Sequence, residues 1–216
     1  MFTLYSADFT GNPGNCSYPH KTVVMNTDNL REAVCHDYVC AEYKNHYRNG
    51  ENFISADCLP VDCDNDHSED PKDWVTPADV LEAFPGVSIA IHYSRFNNRE
   101  KNGKPARPKF HVLFPIDRMT DATLYSDMKK LVNSIFPYFD TKALDAARFF
   151  FGTQEPNVEL YPGRMNLTEF LNNDEFDAGL PGGHKKDAVI PEGSRNAVMS
   201  RFAGIVIKKY GDTEKA

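Results

Sequence analysis

The sequence predicts a mixed α/β (α+β) domain, and three observations carry that reading. Runs rich in β-branched and aromatic residues occur at 52–63, 87–94 and 109–114. Leu124, Met128, Leu131, Val132, Ile135 and Phe136 repeat with the period of one helix face. A polar loop at 97–107 joins the second and third β-type runs as an antiparallel hairpin would. At 216 residues, 41% hydrophobic and 25% charged, the chain can bury one good core with a small appendage.

The elements follow in order. Residues 5–9 read as a first strand, ended by the turn signal Gly11-Asn12-Pro13-Gly14. Asp28 or Asn29 is placed to cap a helix over 30–43. The strand at 52–63 follows, then a polar loop at 65–73. Thr76-Pro77-Ala78-Asp79 opens a short helix with a cap, a proline in the first turn and an acid at the third position. That helix ends near Pro85-Gly86. The strand at 109–114 is expected to stop at Pro115, and Asp121 to start the amphipathic helix. Residues 148–151 read as a strand, with 158–161 as its expected partner, and 167–171 as a short helix. Residues 174–187 read as a linker, and Ser194 caps a last helix bearing Val198, Phe202, Ile205 and Val206. The division expected is a main domain at 1–165 and a linker with the start of a C-terminal helical segment at 166–216.

Composition narrows the function classes. No apolar run approaches a membrane span, and Met1-Phe2-Thr3-Leu4-Tyr5 is not a basic-then-apolar leader, so a cytoplasmic protein without a membrane partner is expected. Five cysteines cannot all pair. Cys35, His36, Cys40 and His46 lack a Cys-x-x-Cys pair, so free thiols are expected and zinc is not. The net charge of −7 weighs against a protein that coats nucleic acid. Its distribution is uneven, however. Residues 57–82 are acidic, and Arg95, Arg99, Lys101, Lys104, Arg107 and Lys109 then crowd one stretch. An acidic centre followed by a basic loop suits an enzyme that holds metal ions and grips phosphates.

Leu59-Pro60-Val61-Asp62-Cys63-Asp64 is the most informative run. Alternation along a strand points Asp62 and Asp64 the same way. Two carboxylates aimed at one point repel unless cations lie between them, and divalent ions there serve phosphate chemistry. Lys109 and His111 share a strand face two residues apart and offer a fixed charge and a directional donor to a polyphosphate. Phe139-Asp140 follows a helix and a proline–aromatic turn, with Asp145 and Arg148 beyond, so a third carboxylate and a phosphate-binding arginine are at hand. Ser94 and Arg95, after Tyr93 at the strand end, are placed to line the same groove.

In this order the motifs resemble those of the archaeo-eukaryotic primase superfamily, including the primase-polymerases (PrimPol-like proteins) of plasmids, phages and integrative elements. Val61-Asp62-Cys63-Asp64 matches the first motif, Lys109-Phe110-His111 the second, and Phe139-Asp140 the third. Leu144-Asp145-Ala146-Ala147-Arg148-Phe149-Phe150 matches the acid, arginine and aromatic strand that follow in many members. Lys109 stands where many relatives have serine. The resemblance spans roughly residues 50–165. Ile190-Pro191-Glu192-Gly193-Ser194-Arg195-Asn196 looks like the opening of a helical domain that follows the catalytic domain in mobile-element primases, with a helicase a possible partner beyond it.

The resemblance implies a mostly antiparallel, RRM-like catalytic sheet flanked by helices, beside an N-terminal α/β unit. It implies a DNA primase/polymerase that transfers a nucleotide from an NTP or dNTP to a 3′-hydroxyl during replication of a mobile element. Asp62, Asp64 and Asp140 would hold two Mg²⁺ or Mn²⁺ ions, with Asp140 favoured over Asp145 as the third ligand. His111, Lys109, Ser94, Arg95, Arg148 and Asp145 would surround the nucleotide. Arg99, Lys101, Lys104 and Arg107 would contact the DNA template or primer. The alternatives are a metal-dependent nuclease using the same carboxylates and a non-catalytic initiator that binds origin DNA.

Overall fold

The structure, a computed structural model, describes residues 1–101 and 103–172. The expected linker, the Ser194-capped helix and the Ile190–Asn196 motif lie outside the described residues. The elements run β1 (Phe2–Ser6), β2 (His20–Val24), α1 (Thr27–Val34), β3 (Tyr38–Val39), β4 (Ala41–Tyr43), β5 (Phe53–Cys63), α2 (Pro77–Ala83), β6 (Ile89–Tyr93), β7 (Arg99–Lys101), β8 (Lys104–Arg107), β9 (Phe110–Met119), α3 (Ala122–Ile135), β10 (Phe149–Phe150), β11 (Val158–Tyr161) and α4 (Leu167–Asn172). The fold is mixed α/β with antiparallel sheets, as the sequence predicts.

The central sheet has the order β11-β6-β9-β5-β4, and every pairing in it is antiparallel. Side-chain alternation divides its residues between two cores. Val61, Cys63, Ile89, Ile91, Phe110, Val112 and Phe114 point to one face, where Val80, Phe84, Val132, Phe136 and Phe170 of α2, α3, α4 and their flanks cover them. Cys58, Ala90 and Leu113 point to the other, under Leu4, Leu30, Val34, Tyr38 and Phe150. Those residues belong to α1 and a smaller sheet of order β10-β3-β1-β2. Each fully buried Phe or Leu contributes about 1.5–3 kcal/mol by leaving water. The expected boundary at 165 falls just before α4, whose Leu167, Phe170 and Leu171 are buried in the main core.

Several expectations change for identifiable reasons. The 30–43 stretch is not one helix. Asn26 caps α1 by accepting from the Asn29 N–H at 2.9 Å, and the helix ends at Val34. Asp37 then takes its carboxylate out of helical use, accepting backbone N–H groups from Gly11, Asn12 and Gly152 at 2.8, 3.0 and 3.0 Å. The buried residues after it pair as β3 with β1 and β10. The first strand sits earlier than 5–9, and all five of its residues are buried, so it lacks the alternation of a half-exposed strand. β2 is a mostly exposed strand that hydrophobic pattern does not mark. β9 runs through Pro115, which faces Cys58 beside a register shift that absorbs the missing N–H. β11 pairs with β6 rather than with β10.

The helix capped by Asp121 forms as expected, and Met128, Leu131, Val132, Ile135 and Phe136 of the predicted stripe pack on the core together with Tyr125 and Lys129, while Leu124 is 58% exposed. Tyr125 wins its place by donating to the Cys58 carbonyl at 2.7 Å. Lys129 donates to the Asp145 carbonyl at 2.8 Å, and burial pulls its pKa down to about 8.

Candidate metal and nucleotide site

One end of the central sheet gathers the functional residues. β5 and β6 end there, β9 and β11 begin there, and the loops at 64–76, 94–109 and 151–157 all emerge from it. Register places Asp62 opposite His111 and His111 opposite His92, so the three form one row across β5, β9 and β6. Asp64 lies two residues beyond Asp62, past the strand end.

Asp140 joins them through the backbone. Its N–H donates to the Asp62 carbonyl oxygen at 2.7 Å, which stitches the 136–140 turn to the end of β5. Phe139 anchors that turn in the core against Phe136, and Asn133 holds the Phe139 carbonyl at 2.8 Å. One carboxylate oxygen from each of Asp62, Asp64 and Asp140 lies within 4.8 Å of the others. Each of the two candidate acids caps a local N–H, Asp140 that of Lys142 at 2.9 Å and Asp145 that of Ala147 at 2.8 Å, and it is Asp140 whose carboxylate also joins the cluster with Asp62 and Asp64.

The donor set fits a hard divalent cation. All three donors are carboxylate oxygens, as Mg²⁺ and Mn²⁺ prefer. Among the described residues, the buried Oδ1 of Asp62 has no hydrogen-bond partner and is an orphan acceptor within the cluster. Burial first, then the Asp64 charge, raises the Asp62 pKa to about 7, with Arg148 opposing. A cation placed between such carboxylates favours their ionised forms.

The cationic residues take distinct places. Arg148 approaches Asp62 from the smaller sheet, Nη2 to Oδ2 3.9 Å. Lys109 does not point freely into the groove. It is buried, with Nζ 2.9 Å from the Asp64 carbonyl oxygen, 3.0 Å from Asp64 Oδ1 and 3.6 Å from Asp66 Oδ1. Its charge holds Asp64. His111 turns Nε2 toward Asp62 Oδ1 at 3.8 Å, and burial lowers its pKa to about 3, so it acts as a neutral group.

Arg107 is a correction. The sequence placed it on a nucleic-acid-binding surface, yet its side chain is fully buried. It donates to the carbonyls of Asn65 and Ser68 at 2.8 and 3.3 Å, pairs with Glu69 at 3.1 Å and lies over the Trp74 ring. The loop at 65–73 is thus organised from inside by a guanidinium, and Asn65 ties the same loop to Val75 and Pro108. Lys104 pairs with Asp66 at 3.2 Å. Arg99 and Lys101 stay on the β7–β8 hairpin, Lys101 over the Phe96 ring.

At the end of β6, and lined by none of the three acids, lies a cleft of about 490 Å³ whose wall includes Ser94, Arg95, Arg99, Thr153, Gln154 and Asn157. Arg95 is fixed there by stacking on Phe151, 4.0 Å from guanidinium carbon to ring centroid. A smaller hollow of about 240 Å³ opens at Asp64, Tyr138 and Asp140. Sequence reasoning missed Tyr38 and His92, which stand behind His111. Tyr38 fell within the stretch read as helix. His92 carried a signal: a histidine in an apolar strand, due on the same face as Ala90.

Neither a protein-family model nor a curated protein sequence matches the chain. Among solved structures, the chain is similar to the AEP domain (PP-N190) of the cyanophage S-2L primase-polymerase, with a TM-score of 0.42 and 13% identity, covering 75% of this chain and 81% of that one. A likeness of that size carries no functional argument by itself. Among the described residues no helix is long and apolar enough to cross a membrane.

Proposed function

We propose that this chain is a two-metal nucleotidyltransferase of the primase-polymerase kind, extending a 3′-hydroxyl from an NTP or dNTP on a DNA template. The observation that carries the reading is the convergence of Asp62, Asp64 and Asp140 within 4.8 Å, with an orphaned Asp62 oxygen and the His111 Nε2 beside it. Asp62, Asp64 and Asp140 would hold Mg²⁺ or Mn²⁺. Bound there, the ions supply charge for a 3′-alkoxide and for the leaving pyrophosphate.

The chain's own residues do the rest. Lys109 fixes the Asp64 carboxylate in place. His111 offers a neutral, directional N–H to a phosphate oxygen, and Arg148 adds a permanent charge on the same side. Ser94 and Arg95 line the cleft that would take the remainder of the nucleotide. Arg99, Lys101 and Lys104, on or beside the β7–β8 hairpin, would meet the nucleic-acid backbone.

The test is incorporation of labelled dNTPs and NTPs on a primed and an unprimed template with Mg²⁺ or Mn²⁺. Template-dependent extension supports the reading. Strand cleavage without nucleotide addition would assign the same acids to a nuclease.

A further inference from the structure

A buried polar chain runs behind His111. The Tyr38 hydroxyl lies 3.1 Å from His111 Nδ1 and 3.1 Å from His92 Nδ1. The two Nδ1 atoms are 3.3 Å apart, and His92 Nε2 lies 3.1 Å from the Thr153 hydroxyl. Tyr38 and His92 are fully buried, and the Phe150 ring closes over Tyr38 and His111 at centroid distances of 5.6 and 4.6 Å.

Proton counting restricts this arrangement. Both rings are buried with, among the described residues, no carboxylate oxygen in hydrogen-bond reach, so each carries one N–H. Two Nδ1 atoms in contact cannot both be bare, since their lone pairs would repel, nor both protonated, since their hydrogens would clash. The tautomers must therefore be opposite. The Asp62 end decides which is which. A bare His111 Nε2 would set a lone pair against the orphaned Asp62 Oδ1 at 3.8 Å, whereas an Nε2–H offers that oxygen a donor. The Thr153 hydroxyl can donate or accept and opposes neither assignment.

We propose that Thr153, His92 and Tyr38 form a hydrogen-bond relay that holds His111 in the Nε2–H tautomer, with the N–H aimed at the acidic centre. Thr153 Oγ1–H donates to His92 Nε2, His92 Nδ1–H to the Tyr38 oxygen, and Tyr38 O–H to His111 Nδ1. Tyr38 and His92 are positioning residues, and no other proton arrangement is needed. Because Thr153 lines the cleft, the relay spans the wall between cleft and acids. Its use in holding a phosphate, though not the relay itself, rests on the function proposed above.

The test is long-range ¹H–¹⁵N correlation on the ¹⁵N-histidine-labelled protein, with signals assigned by single substitutions. His111 is expected as Nε2–H and His92 as Nδ1–H. Finding His111 as Nδ1–H, or both rings in the same or averaged tautomers, would overturn the relay. In a folded Tyr38→Phe/His92→Phe double variant both donors to His111 Nδ1 are gone. His111 should then show a smaller Nε2–H share than in wild type, biased only by the distant Asp62 Oδ1, and bind a non-hydrolysable dNTP analogue with Mg²⁺ about three- to tenfold more weakly. An Nε2–H share unchanged from wild type in that variant counts against the proposal. Should the double variant not fold, the wild-type tautomers decide alone. Opposite tautomers in wild type, with a His111 signal unmoved by the analogue, would uphold the relay and contradict the nucleotide reading.

Discussion

The backbone N–H of Asp140 donates to the carbonyl oxygen of Asp62 at 2.7 Å. This one bond brings an acid from the far end of α3 to two acids at the end of β5, across 78 residues of sequence. It also separates Asp140 from Asp145: both cap a local N–H, but it is Asp140 whose carboxylate reaches the cluster. Asp140→Ala is expected to abolish Mn²⁺ binding at the cluster and to lower nucleotide incorporation by about 100-fold or more. Asp145→Ala is expected to lower the melting temperature and leave Mn²⁺ affinity near wild type. Calorimetric Mn²⁺ titration of both variants checks the pair.

Asp62 links metal binding to pH. Its pKa is raised from 3.8 to about 7, chiefly by burial, so the metal-free folded protein holds this proton more tightly than the unfolded chain does. Below pH 7 a metal ion must displace the proton, and Mn²⁺ affinity should rise up to about tenfold per pH unit there and level off above it. The same shift makes the ionised group destabilising in the metal-free fold. That penalty is absent below pH 4, grows as pH rises and is complete above about 7. Asp62→Asn should therefore raise the melting temperature of the metal-free protein at pH 8, not at pH 4. Equal effects at both pH values would contradict the assignment.

Two arginines of the basic stretch should behave differently. Arg107→Ala removes a buried guanidinium with five polar partners and should destabilise the fold by about 2–4 kcal/mol, measured by denaturant unfolding. Arg99→Ala should leave stability unchanged and reduce the salt dependence of DNA binding by about one unit of slope.

Gly152 is where the smaller sheet meets the α1–β3 turn. A Cβ there would lie 2.1 Å from the His36 carbonyl oxygen, a clash with backbone on both sides of the contact. Gly152→Ala should prevent cooperative unfolding at 25 °C or lower the midpoint sharply, as followed by circular dichroism.

Much of the fold's outline was legible because strand alternation and helix caps are local signals. The 52–63 strand, the Thr76 and Asp121 helix starts and the Asp62/Asp64 pair all depend on neighbours in sequence. What was missed depends on distant partners. Tyr38 pairs with β1 and β10 and serves His111, which no window around residue 38 reveals. Arg107 reads as one more charge on a basic loop, and only the fold shows Asn65, Ser68 and Glu69 waiting for it. The α3 stripe failed at its first position, where Leu124 is exposed while Tyr125 and Lys129 find buried oxygen partners. Within the site, the acids and His111 stood out as motifs, while the assignment of Lys109 to Asp64 needed a distance.

The most direct measurement compares wild type with Asp62→Ala/Asp64→Ala in primer extension with Mg²⁺ or Mn²⁺, with circular dichroism confirming that both are folded. The account predicts template-dependent extension by wild type and none by the variant. Extension by the variant at the wild-type rate, or none by either protein, would contradict it.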